Sequence, residues 1–138
     1  MRAKLDIKTI QAINLFERVT RIKASYCFSY NDKLIFLIPY SDMKRIKLDH
    51  IRFLNSKFNS RIKVIPSPCE KNYSEIYRFV QALVPYPFRG LILKDKELIF
   101  SVPTTRAKAV FFGKDKYRIK QLADILKKFF DIEKVSVR

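Results

Sequence analysis

The stretch Lys33-Leu34-Ile35-Phe36-Leu37-Ile38-Pro39 returns 64 residues later as Glu97-Leu98-Ile99-Phe100-Ser101-Val102-Pro103. Each is a short apolar run stopped by proline, which reads as a strand. A turn pair precedes each run, Asn31-Asp32 and Asp95-Lys96, and before each turn lies a second strand-like segment. In the first copy Ile22, Ala24, Tyr26, Phe28 and Tyr30 alternate with Lys23, Ser25, Cys27 and Ser29; in the second the segment is Phe88 to Lys94. Alternation at period two, then a turn, then another strand predicts a β-hairpin in each half.

Helical patterns lie on both sides of each hairpin. Asp6 is placed to cap a helix whose stripe is Ala12, Leu15, Phe16 and Val19. After the first hairpin, a polar and basic stretch from Ser41 to Lys47 leads into Leu48, Ile51, Leu54 and Phe58, and Ile62 to Ile65 reads as a strand. Pro66 and Pro68 punctuate the chain, and the order begins again. Asn72 with Glu75 resembles a capping box, followed by the stripe Ile76, Phe79, Val80 and Leu83. Beyond the second hairpin come a helical stretch from Thr105 to Phe112, the run Gly113-Lys114-Asp115-Lys116, the stripe Ile119, Leu122, Ala123, Leu126 and Phe130, and a strand at Val135 to Val137. All of these stripes read as core.

This is an internal duplication of α+β units, 1–67 and 68–138. The strands match at an offset of 64, but Ile51 and Leu54 match Ile119 and Leu122 at 68, so the first copy is four residues shorter at the junction of its central helices. Units of this size are near the lower limit for folding alone, so the two are expected to pack together.

Charge falls at the same junction in both copies. The chain carries 29 Lys and Arg against 13 Asp and Glu, a net charge of +16 in 138 residues. Residues 43–63 hold seven Lys/Arg and one Asp, and residues 106–128 hold eight and two, so 12 of the 16 net charges lie in these 44 residues. A solvated surface would spread the excess; its concentration points to a polyanion. Catalytic motifs are missing from the pattern. Two glycines, Gly90 and Gly113, exclude a P-loop or dinucleotide fingerprint. The lone His50 has no second histidine to share a metal and reads as a solvated helix residue. Cys27 and Cys69 cannot form a disulfide framework. No apolar run is long enough to span a membrane, and Met1 to Asp6 does not open a secretory signal. A soluble, cytoplasmic, non-enzymatic monomer without cofactor or metal is the expectation.

A helix-strand-strand-helix-helix-strand unit with a basic loop between its central helices resembles the type II KH domain, which clamps single-stranded RNA through a GxxG loop. Two such units in one chain are similar to the archaeal NusA-like transcription termination factors. The marks are Lys4-Leu5-Asp6 followed by Ile13-Asn14-Leu15-Phe16-Glu17, then Phe112-Gly113-Lys114, Ile119-Lys120 and the ending Val135-Ser136-Val137-Arg138. Gly113-Lys114-Asp115-Lys116 stands where the family has its GxxG loop, with lysine in place of the second glycine; the first copy has Arg45-Ile46-Lys47-Leu48 and no glycine. The resemblance implies a termination or antitermination factor that acts with RNA polymerase and nascent single-stranded RNA. Its RNA contacts would come from Arg106, Lys108, Gly113, Lys114, Asp115, Lys116, Arg118 and Lys120, with Arg45 and Lys47 in the first copy. Tyr117 reads either as a base-stacking ring or as packing on its own helix, and Gly113 either as a helix cap or as part of an RNA-touching loop. The alternatives are a decayed KH module that docks on RNA polymerase and an rRNA- or ribosome-associated KH protein.

Overall fold

The computed structural model describes residues 7–138, so the cap expected at Asp6 and the Lys4-Leu5-Asp6 mark lie outside the described residues. Residues 7–67 form one compact unit and 68–138 another. The first contains α1 (Ile7–Thr20), β1 (Tyr26–Tyr30), β2 (Lys33–Ile38), a 3-10 helix (Tyr40–Arg45), α2 (Leu48–Phe58) and β3 (Arg61–Pro66). The second contains α3 (Tyr73–Leu83), β4 (Gly90–Lys94), β5 (Glu97–Ser101), α4 (Thr105–Phe112), a 3-10 turn (Lys114–Lys116), α5 (Tyr117–Phe130) and β6 (Lys134–Val137). Each unit is therefore α+β with its own three-stranded sheet, ordered β1-β2-β3 and β4-β5-β6. In both, the hairpin is antiparallel and the last strand pairs parallel to the central one.

Local chemistry sets these elements. Asn31, Asp32, Asp95 and Lys96 all have positive φ, the conformation that a two-residue hairpin turn matched to strand twist requires. The Asn72 side chain accepts the Glu75 N–H at 2.9 Å and caps α3, and the Thr104 hydroxyl accepts the Ala107 N–H at 3.0 Å and caps α4. At the end of α1 the buried Thr20 hydroxyl donates to the Phe16 carbonyl at 2.8 Å and accepts the Ile22 N–H at 3.1 Å, so the chain leaves the helix without an orphaned polar group.

Each unit has an aromatic centre. In the first, Phe16 and Phe36 stack at 4.5 Å inside a cluster that includes Ile13, Cys27, Ile38, Leu54 and Ile62. In the second, Phe100 meets Phe88 at 5.2 Å and Phe111 at 5.1 Å, while Phe79 meets Phe130 at 5.3 Å.

Three sequence expectations need correction. The strands expected from Ile22 and Phe88 begin later, at Tyr26 and Gly90. Pairing Tyr26 with Leu37 would put Ala24 opposite Pro39, and pairing Gly90 with Ser101 would put Phe88 opposite Pro103, so in each hairpin the partner strand has already ended. Leu48 was expected in the core stripe of α2 but is 64% exposed; six residues before Leu54, it points about 120° round the helix from it. In α5, Ile125 is buried among Ile119, Leu122, Leu126 and Phe130, whereas Ala123 is only half-buried.

Candidate nucleic-acid interface

The four-residue difference between the copies has a definite form. Where the second unit has the eight-residue α4 followed by Gly113 and a turn, the first has a six-residue 3-10 helix followed by Ile46 and Lys47. The second junction is a tight loop between two α-helices. Gly113 ends α4, donating its N–H to the Ala109 carbonyl at 3.0 Å, with φ 71 and ψ −177. Both Asp115 (φ 55) and Lys116 (φ 60) are left-handed, and the Lys116 N–H returns to the Gly113 carbonyl at 3.3 Å. This geometry delivers the chain to the start of α5 with Lys114, Asp115 and Lys116 all exposed.

The N-terminus of α5 lacks a negative charge within its first turn, although Asp115 precedes it by two residues. Lys116 supplies no side-chain cap. The start of a helix carries the positive end of its dipole; here the Tyr117 N–H is turned back to the Lys114 carbonyl, and Lys114, Asp115 and Lys116 surround the helix start. The Lys116 ammonium lies 5.9 Å from the Phe112 ring centroid, within cation–π range. Tyr117 is 62% exposed at the same end.

Not all of the basic side chains expected here have the same standing. Lys120 is exposed, one turn into α5. Arg118 is structurally engaged: its guanidinium donates to the Val110 carbonyl at 3.1 Å and lies 5.2 Å from the Tyr86 ring centroid. Its stem fills the space beside Gly113, where a Cβ would come within 2.8 Å of the Arg118 Cγ. Arg106 and Lys108 sit back along α4, roughly 10 and 7 Å along its axis from Gly113 at 1.5 Å per residue. The loop itself therefore carries Lys114 and Lys116 exposed, with Lys120 exposed one turn into α5 and Arg118 packed against Gly113.

At the first junction one of the two expected cations is already engaged. Arg45 pairs with Asp42 at 3.0 Å and donates to the Arg21 carbonyl at 3.3 Å. Lys47 is the N-cap residue of α2, and its backbone N–H donates to His50 Nδ1 at 3.3 Å. His50 thus helps to finish the helix, a role its sequence context did not signal. Asp49 in the first turn already complements the α2 dipole. Nothing in the sequence marked Tyr86 as the partner of Arg118 beyond its place between Pro85 and Pro87.

Among the described residues, no group of three or more His, Cys, Asp or Glu is placed to hold a metal ion, and no helix is long and apolar enough to cross a membrane. No protein-family model matches the chain, and no curated protein does. Among the solved structures that match is one described as "Crystal structure of APE1850", 22% identical, covering 97% of this chain and 100% of that one with a TM-score of 0.65. The likeness at that identity is one of fold.

Proposed function

We propose that both units are type II KH domains and that the protein is a non-enzymatic RNA-binding factor, similar to the archaeal NusA-like transcription termination factors. It acts with RNA polymerase on nascent single-stranded RNA. The observation that carries this reading is the second junction: an α5 N-terminus with neither an acidic residue nor a side-chain cap, reached through a loop with positive φ at both Gly113 and Lys116. Those are the positions that the resemblance aligns with the two glycines of the family's loop, and positive φ at both supports the reading. Support also comes from the strand arrangement, an antiparallel hairpin with a third strand parallel to its centre, twice over. A phosphate would sit at the positive end of the α5 dipole, and Lys114 and Lys116 would add charge without reading sequence.

The test is paired charge reversal. Lys114→Glu with Lys116→Glu should weaken single-stranded RNA binding more than Arg45→Glu with Lys47→Glu, although both change the same number of charges. Wild-type log affinity should fall with log salt by about 0.7 per phosphate neutralised. Equal losses would leave bulk charge as the whole effect. Absence of RNA binding at low salt would favour the protein-docking reading, for which the exposed Tyr40 and Leu48 at the first junction are the specific support.

A further inference from the structure

A second feature of the 68–138 unit lies outside this loop. Two adjoining hollows run along α3 and the Pro85–Phe88 segment, about 330 and 310 Å³ in volume, and share Tyr77 and Gln81. The first is flanked by Tyr73 and Arg78, the second by Tyr86 and Phe88. The rings form a connected series, with Tyr73 and Tyr77 at 6.1 Å and Tyr77 and Phe88 at 6.0 Å edge-on. They are also anchored. The Tyr73 hydroxyl donates to the Leu91 carbonyl at 2.7 Å, and Phe88 is set edge-on against the buried Phe100. No carboxylate lines either hollow.

The groove is joined to the loop by one side chain. Arg118 lays its stem against Gly113 and its guanidinium over Tyr86, so the wall of the groove and the first residue of the loop meet the same arginine. We infer that the groove along Tyr73 and Tyr77 is a stacking surface for bases of the same RNA strand whose phosphate is held at the start of α5. The inference rests on the RNA-binding reading above. Fixed aromatic rings bordered by Arg78, which lies 3.9 Å from Glu75, suit a single strand, because every base has a π-face and stacking needs no sequence readout. A proline-rich peptide could also use an aromatic groove, but it would make no use of the adjoining basic loop.

Two probes separate the contributions: a short oligoadenylate, and an abasic ribose-phosphate oligomer of the same length. The full-length protein should bind both at low salt. Tyr77→Leu, which keeps the apolar bulk, should weaken oligoadenylate binding about five- to tenfold and leave the abasic oligomer unchanged; Tyr77→Phe should restore it. Unchanged thermal unfolding of both variants keeps the comparison free of folding effects, and Tyr73→Leu, on the side of the groove away from Arg118, serves in the same role if Tyr77→Leu unfolds. Equal loss on both probes, or no loss on either, would overturn the groove proposal and leave the loop reading standing. Binding of a proline-rich peptide that Tyr77→Leu abolishes, with oligoadenylate unaffected, would assign the groove to protein. Failure of the wild type to bind either oligomer would overturn the RNA reading and the groove with it.

Discussion

Gly113 and Lys116 solve the same problem in opposite ways. Gly113 has φ 71 and ψ −177, a region that is essentially glycine-only, and any Cβ there would meet the Arg118 stem. Gly113→Ala should therefore cost about 1–3 kcal/mol, read as a lower urea midpoint at unchanged m-value. Lys116 has φ 60 without being glycine, which costs an L-residue about 1–2 kcal/mol. Lys116→Gly should stabilise the protein by about 1 kcal/mol in the same experiment, even though it removes a cation. A neutral Gly113→Ala would mean that the loop relaxes freely and that its conformation is not imposed by packing. Asp115 bears its left-handed φ more cheaply, because Asp and Asn visit that region more readily than other non-glycine residues.

At the scale of elements, the sheet of the first unit carries an electrostatic cost. β3 is an edge strand with Arg61 directly opposite Lys33 and Lys63 opposite Ile35, and like charges paired across strands are unfavourable. Burial, and after it the Lys33 ammonium, pushes the pKa of Lys63 below the usual lysine value. The folded state thus disfavours the charged lysine. That penalty is complete below the lowered folded pKa and fades as pH rises towards the unfolded value. Lys63→Met should raise the thermal midpoint at pH 7 by roughly 2–4 °C, and the gain should shrink as pH approaches 10. A pH-independent gain would assign the effect to apolar packing alone. The hairpins were legible from sequence because turn residues and prolines bracket them on both sides. The starts of β1 and β4 were not, since a strand lasts only as long as its partner and the alternation at Ile22 and Ala24 reports burial without pairing. Leu48 misled for a related reason: a stripe counted in steps of three drifts round the helix.

For the whole molecule, the repeat was plain in the chain and the asymmetry between its copies only partly so. A shortened first junction could be counted. That Arg45 would be taken by Asp42 and Arg21, and that His50 would fold back on Lys47, could not, because the first depends on how a six-residue 3-10 helix directs its side chains and the second on where α2 begins. In the second unit, the charge of Lys114 and Lys116 could be read directly, whereas the burial of the Arg118 stem and its bond to Val110 required the packed loop. The difference between the junctions bears on valency. On the RNA-binding proposal, a chain whose α5 start has no first-turn acid, while Arg45 is paired with Asp42 and Asp49 sits in the first turn of α2, is a monovalent ligand for a strand, despite containing two copies of the same unit. It gains none of the effective concentration that a second linked seat provides. Release of a labelled oligonucleotide should then follow a single exponential, with a residence time that stops lengthening once the oligonucleotide spans the loop and the groove of the second unit. Biphasic release, or a lifetime that goes on growing beyond that length, would show that the first unit still holds RNA.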